Sequence, residues 1–174
     1  MHKSLILYSS IDGHTKSICK KISEHMNNDE VDIFSISSIS EEFINLDEYK
    51  TIIIGASIRY GKYRNELYKF ISKNKGLLDK KNNAFFSVNV VARKSNKNTP
   101  ETNPYLIKFL KNIDWMPKRV GVFAGKIEYP KYNFFDKYAI KFIMWITKGP
   151  TNTLETYEFT DWEKVKAFAE NLKS

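Results

Sequence analysis

Three short segments carry residues able to bind a phosphorylated, flat ligand. The first is Ser9-Ser10-Ile11-Asp12-Gly13-His14-Thr15. Ser9, Ser10 and Thr15 supply hydroxyl donors, and Gly13 lets the backbone come close. A helical pattern opens directly behind them, which aims backbone N–H groups at an anion. No Lys or Arg lies between Ser9 and Thr15. A triphosphate loop of the G-x-x-x-x-G-K-[ST] kind needs that Lys, and the G-x-G-x-x-G dinucleotide pattern is missing too. What is left suits one phosphate monoester held by neutral donors. The plain alternative is an ordinary strand-to-helix turn with a Ser/Thr cap.

The second segment is Gly55-Ala56-Ser57-Ile58-Arg59-Tyr60-Gly61. Its small residues allow close backbone approach, and Tyr60 offers a ring to stack on a planar group. The third, Ser87-Val88-Asn89-Val90-Val91-Ala92-Arg93-Lys94, brings backbone polar groups, the Asn89 amide and a basic pair. A phosphate loop joined by these two loops suits a mononucleotide with a planar ring, and FMN is the leading candidate. His14 is expected at the phosphate or in solvent. No His, Glu or Asp stands out as a catalytic base, and no metal-ligand pattern is evident.

The elements that must position these loops alternate. An apolar run at Leu5-Ile6-Leu7 precedes the first loop, and Ile18, Cys19, Ile22 and Met26 form a helical stripe behind it. Val31 to Ile36 reads as a second strand. Thr51-Ile52-Ile53-Ile54-Gly55-Ala56 is a third, continuous and β-branched as in a strand buried on both faces. A helix is expected from Asn65 as N-cap, burying Leu67, Phe70 and Ile71. Ala84 to Val91 reads as the fourth strand. Asn103-Pro104 gives an N-cap with Pro at the first helical position, ahead of Leu106, Phe109, Leu110 and Ile113. Arg119 to Ala124 is the fifth strand. Thr160 and Glu163 form an expected capping box for a last helix carrying Val165, Phe168, Ala169 and Leu172 inward. Alternating strands and helices imply a parallel sheet covered on both faces, with ligands beyond the strand C-terminal ends.

The chain has 174 residues, enough for one domain spanning 1–174, and its hydrophobic fraction of 42% can furnish a core. Cys19 is the single cysteine, so no disulfide forms within the chain; it reads as core, not nucleophile. A net charge of +8 favours anionic partners, such as anionic lipid or acidic small molecules. Nucleic acid would need a clustered basic face with aromatic stacking, and the Lys residues are scattered. No signal-peptide pattern precedes the first strand, so the expected setting is cytoplasmic, peripheral on the cytoplasmic face of the inner or plasma membrane.

The chain resembles flavodoxin-type FMN proteins, with Ser9-Ser10-Ile11-Asp12-Gly13-His14-Thr15 as the phosphate loop. More narrowly, Gly55-Ala56-Ser57-Ile58-Arg59-Tyr60-Gly61 and Ser87-Val88-Asn89 with Ala92-Arg93-Lys94 are similar to the menaquinone-dependent protoporphyrinogen IX dehydrogenases of haem biosynthesis. Thr99-Pro100, Thr102-Asn103, Lys108-Phe109-Leu110, Tyr129-Pro130 and Thr160-Asp161-Trp162-Glu163 extend the likeness over nearly the whole chain. The resemblance implies a flavodoxin-like three-layer α/β sandwich with a five-stranded parallel sheet in the order 2-1-3-4-5. An insertion, at about 126–150, follows or interrupts strand five. It implies oxidation of protoporphyrinogen IX, with electrons passing through FMN to menaquinone or another quinone. The implied cofactor set is Ser9, Ser10, Asp12, Gly13, His14, Thr15, Ser57, Ile58, Arg59, Tyr60, Gly61, Ser87, Val88 and Asn89. Arg59, Arg93 and Lys94 are expected at the substrate's two propionates, since Arg suits bidentate carboxylate contacts. The alternatives are that Arg59 pairs with a neighbouring carboxylate and that Arg93 is solvated.

Inside the insertion, the stretch from Tyr132 to Lys148 reads as an apolar and aromatic helix with Lys137 and Lys141 on one narrow face, extended by Lys148. Its core reaches only ~20 Å, short of a bilayer's ~30 Å. It is expected to help form a porphyrinogen or quinone site and to touch the membrane interface, the alternatives being a helix packed on its own domain or on a second subunit. A basic, insertion-bearing chain fits an electron-carrier flavodoxin poorly. A nicotinamide-fed quinone reductase remains the other enzyme reading.

Overall fold

A computed structural model describes residues 2–26, 29–39 and 44–172. Five strands, β1 (His2–Ser9), β2 (Asp29–Ser35), β3 (Thr51–Ser57), β4 (Asn82–Asn89) and β5 (Arg119–Ala124), form one parallel sheet in the order β2-β1-β3-β4-β5. The helices α1 (His14–His25), α2 (Asn65–Lys80), α3 (Pro104–Asn112) and, after the insertion, the C-terminal helix (Trp162–Glu170) cover it. Side chains alternate between faces along each strand. Leu5, Leu7, Ile52, Ile54 and Phe85 therefore pack with Leu67, Phe70, Ile71, Leu106 and Phe109 of α2 and α3. Ile6, Ile53, Ala84 and Phe86 pack on the opposite side with Ile18, Cys19 and Ile22 of α1 and with Val165 and Ala169. This is the expected three-layer sandwich. Gly55 is needed for packing, because a Cβ there would stand 2.1 Å from Phe86 Cζ.

The insertion follows strand five. Gly125 ends β5, and β6 (Lys126–Glu128) pairs antiparallel with β7 (Thr156–Glu158). Between them runs α4 (Phe134–Ile146), capped by the Asn133 side chain, which accepts from Asp136 N–H at 2.8 Å. Met144 and Ile140 seat α4 on Ile127, Tyr129, Val90 and Phe159. Lys148, expected to extend the helix face, lies beyond the helix in a left-handed conformation (φ 58). The C-terminal helix is α5.

Several boundaries differ from the sequence reading. β2 stops at Ser35, and Ile36 opens a 3-10 turn. β4 stops at Asn89, because its side chain accepts from Ala92 N–H and turns Val90–Arg93 into a 3-10 turn. Asn65 is the first residue of α2, not its cap; the cap position is Arg64, with no side-chain cap bond. Asp161, not Thr160, caps α5, because the Thr160 hydroxyl donates to Ala124 O at 2.8 Å. Asn103 and Pro104 open α3 as read, with Leu106 N–H donating to Asn103 Oδ1 at 3.2 Å.

Candidate functional site

β1 lies between β2 and β3, so the chain reverses its direction of winding there, and the first loop opens at that switch point. Gly13 occupies the N-cap of α1 at φ 80 with no side-chain cap bond. A Cβ there would meet nothing within 4 Å, so the left-handed backbone, not crowding, requires glycine. The first N–H groups of α1 have no intrahelical acceptor. Thr15 Oγ1 is buried without a hydrogen-bond partner among the described residues. A buried hydroxyl left so costs about 1–3 kcal/mol. A phosphate oxygen at the helix N-terminus would satisfy it, so the donors present fit a phosphate monoester. Ser9 points elsewhere: its hydroxyl donates to Glu66 Oε1 at 2.8 Å. Ser10, Asp12, His14 and Thr15 line the cleft with Ser57, Ile58 and Arg59 from the second loop. Val88 and Asn89 from the third, and Gly125 and Lys126 past β5, close it.

His14 Nε2 lies 2.6 Å from Thr160 Oγ1. Since the single Thr160 hydroxyl proton goes to Ala124 O, Nε2 must be the donor, and Nδ1 carries the lone pair in the neutral ring. The ring meets Trp162 edge-on at 5.9 Å. Burial lowers the His14 pKa, with Lys126 acting in the same direction against Glu158 and Glu128.

The second loop is a tight turn. Arg59 and Lys62 exchange backbone hydrogen bonds at 3.0 and 3.1 Å, and Tyr60 and Gly61 both have positive φ, at 50 and 73. Glycine takes that conformation freely; a tyrosine in it is strained backbone of the sort that gathers at functional sites. Tyr60 is half exposed, and its hydroxyl donates to Asp136 Oδ1. Arg59 is held twice, by Asp12 at 2.7 Å and Asp136 at 2.8 Å, and its guanidinium lies 5.3 Å from the Tyr132 ring centre. Burial opposes its charge, but the two carboxylates raise its pKa.

Beyond β4, Ser87 and Asn89 turn into the fold. Tyr63 donates to Ser87 Oγ at 2.6 Å, Asn89 Nδ2 donates to Ser87 Oγ at 3.0 Å, and Asn103 Nδ2 donates to Asn89 Oδ1 at 3.1 Å. This buried network locks the end of β4 to the start of α3. Arg93 donates to Val90 O at 3.0 Å and to Thr147 O and Oγ1 at 3.0 and 3.1 Å. It thereby fastens the C-terminal end of α4, and burial lowers its pKa. Lys94 lines neither this cleft nor the neighbouring one.

A second cavity, of about 130 Å³, adjoins the first under α4. Its walls are Ile58, Val90, Val91, Ile127, Tyr105 and Tyr132, and Ile140, Ile143 and Met144 of α4 form its roof. Its cations, Arg59 and Lys126, come from different strand ends. Lys126, Tyr105 and Tyr132 were not singled out from sequence. Lys126 had a signal: only Gly125 separates it from the C-terminal end of β5, at the edge where the loops gather. The three loops and the insertion thus converge on one site, but Ser9 and Ser87 turn into the fold, and Arg93 and Lys94, expected at the substrate, line neither cavity.

The sheet order, with a strand-to-helix loop at the β1 switch point, is that of a flavodoxin-type domain, and residues 5–154 match the flavodoxin domain family. A flavodoxin from the domain Archaea superposes with a TM-score of 0.52 at 16% identity, covering 98% of this chain and 96% of that one. A short-chain flavodoxin associated with a bacterial microcompartment gives 0.55 at 13% identity over the whole of both chains. At these identities the likeness concerns the fold. The sequence relatives are closer. The protoporphyrinogen IX dehydrogenase [quinone] of Escherichia coli strain K12 is 40% identical over 172 residues, covering 98% of this chain and 94% of that protein. Its namesake from Leishmania major is 41% identical over 173 residues, covering 98% of this chain and 74% of that protein. The chain belongs to the protoporphyrinogen IX dehydrogenase (quinone) family of flavodoxin-domain proteins.

Proposed function

We propose that the protein oxidises protoporphyrinogen IX to protoporphyrin IX, with FMN in the cleft and a quinone as acceptor. The observation that carries this reading is the 40% identity over 98% of the chain, which spans all three loops and the insertion. When bound, FMN supplies two-electron redox chemistry, so the six-electron oxidation of the porphyrinogen takes three rounds, each closed by the quinone.

The chain's own residues do the rest. The α1 N-terminus, Ser10, Gly13, His14 and Thr15 hold the phosphate, with Ser9 bracing the loop through Glu66. Ser57, Ile58, Val88 and Asn89 line the path away from it. Tyr60 and Gly61 offer a ring and open backbone at the adjoining cavity. The roof of Ile140, Ile143 and Met144 keeps water from that cavity and gives the porphyrinogen an apolar ceiling. Asp12 and Arg59 fix the loops to the roof, and Arg93 fixes its far end. A propionate reaches Arg59 only by displacing a carboxylate. Lys94 stays at the periphery of the substrate path.

The protein works at a membrane surface. Among the described residues no helix is long and apolar enough to cross a bilayer. Yet α4 exposes Phe134, Phe135, Tyr138, Phe142, Trp145 and Ile146, beside Lys137 and Lys141. Such a face suits the interface of an anionic membrane, where a quinone resides.

The test is an anaerobic stopped-flow mix of FMN-loaded protein with protoporphyrinogen IX. Bleaching of the oxidised flavin bands, appearance of porphyrin fluorescence, and recovery of the bands on adding a menaquinone analogue are expected. No bleaching with the porphyrinogen, but fast bleaching with NAD(P)H or a reductase partner, would assign a quinone reductase or an electron carrier instead.

A further inference from the structure

Arg59 and Lys126, the two cations of the cavity under α4, sit in different electrostatic settings. Arg59 faces two carboxylates, Asp12 at 2.7 Å and Asp136 at 2.8 Å, so that cluster carries one positive and two negative charges. Lys126 and Lys131 share a single carboxylate oxygen, Glu128 Oε1, at 3.0 and 2.8 Å, and Glu158 stands opposite Lys126 on β7, so that cluster carries two positive charges and two negative and is balanced. An anionic ligand arriving in the cavity meets net negative charge at the first, and at the second a balanced group in which two ammonium groups share one carboxylate oxygen. Lys131 also keeps Glu128 compensated if Lys126 turns away. Burial opposes the charge on Glu128, yet the two ammonium groups outweigh it and hold its carboxyl below the ordinary range. The opposing β7 residue, Glu158, accepts from Trp162 Nε1 at 2.7 Å. Lys126 is therefore the cation of this cavity with capacity for an incoming carboxylate.

We infer that Lys126 binds a carboxylate of the porphyrin-class substrate and thereby selects free-acid tetrapyrroles over their esters. This rests on the function proposed above and adds a specificity residue to it. One ammonium hydrogen bond stays with Glu128 or is exchanged, and the remaining donors turn to the carboxylate. The apolar walls contact the ring system, so ring binding and carboxylate binding are separable.

The experiment titrates FMN-loaded wild type, Lys126→Met and Lys126→Arg with protoporphyrin IX and with its dimethyl ester, in the same detergent, read by porphyrin fluorescence. Because Lys126 also borders the cofactor cleft, FMN affinity is measured separately for each variant. The expected result is an about tenfold loss of free-acid affinity in Lys126→Met. Ester affinity is unchanged, any change in FMN affinity is smaller than the free-acid loss, and Lys126→Arg recovers most of that loss. Free-acid affinity within twofold of wild type, or equal losses for acid and ester, overturns the assignment. A loss confined to FMN moves Lys126 to the cofactor and overturns it too. If wild type binds neither porphyrin, the proposed function itself fails, and this inference with it.

Discussion

Arg59 Nη2 and Asp136 Oδ2 meet at 2.8 Å and join the loop after β3 to the first turn of α4, while the same guanidinium reaches back to Asp12 in the loop after β1. At the other end of the helix Arg93 donates to Thr147. The roof of the cavity is thus pinned at both ends by arginines from two different strand-end loops. The Tyr60 hydroxyl, despite some opposing desolvation, and then Arg59 lower the Asp136 pKa. A carboxylate with a depressed folded pKa contributes above its ordinary pKa, and that contribution is lost as pH falls through the depressed value. Asp136→Asn should therefore speed amide hydrogen exchange across 134–146 at neutral pH. Wild type should show the same loosening only in acid, below the ordinary carboxylate range. Equal exchange in both proteins at neutral pH would show that the apolar seat alone holds the roof.

Arg93→Ala should unpin the opposite end. It removes hydrogen bonds from a partly buried cation to Thr147 and Val90, so a loss of about 1–3 kcal/mol is expected by urea unfolding. FMN affinity should be unchanged, since Arg93 does not line the phosphate cleft. Fluorescence titration with FMN checks this second half, and a matching fall in affinity would place Arg93 at the cofactor.

Thr15→Val tests the phosphate cradle with little change of shape. The hydroxyl is buried and without a partner among the described residues, so removing it should leave the apoprotein as stable or slightly more so. The same change should weaken FMN about tenfold, through loss of one hydrogen bond to a charged oxygen, and leave riboflavin binding alone. Melting of the apoprotein and two parallel titrations separate these effects.

What the sequence made legible was local or periodic. The faces of β1 and β3 follow from continuous apolar runs, and the cap of α3 from adjacent Asn103 and Pro104. The existence of α4 was readable from its apolar pattern, but its ends were not: Asn133 caps it, and Lys148, read as extending its face, lies past its end. The loops that form the cleft were found because small and hydroxylic residues followed each strand. Partners distant in sequence were not legible. Nothing in the spacing of Arg59 or Arg93 says that one meets Asp136 and the other Thr147. Thr160 looked like a cap because Glu163 follows at the right interval, whereas the fold brings Ala124 O within its reach and leaves capping to Asp161. Lys126 escaped notice for the same reason, since its importance comes from which two cavities it borders.

His14 should make apoprotein stability depend on pH. Its folded pKa is lowered chiefly by burial, so the unfolded chain binds the proton more readily. Stability is then fully present above the ordinary value of about 6.5 and declines as pH falls from there to the lowered folded value. His14→Gln, able to keep the bond to Thr160, should flatten that part of the profile. Melting temperatures of the two apoproteins at pH 7.5 and below pH ~6 provide the comparison. Parallel profiles would show that the ring is not the titrating group.

The exposed face of α4 gives the last test. Phe135 and Trp145 are 83% and 69% exposed, and Phe142 is 59% exposed, on a helix whose buried side is already occupied by Met144. Fully burying an aromatic side chain is worth about 1.5–3 kcal/mol, so three of them in a lipid interface would bind well, and neighbouring Lys residues would add salt-sensitive attraction. Wild type should co-sediment with vesicles containing anionic lipid and release partly at high salt. Phe135→Ser, Phe142→Ser and Trp145→Ser combined should abolish binding while FMN affinity and melting temperature hold, because none of the three packs in the core. A homodimer through the same face would behave differently. Wild type would then be dimeric without lipid, and the triple variant would turn monomeric with no vesicle binding in either protein.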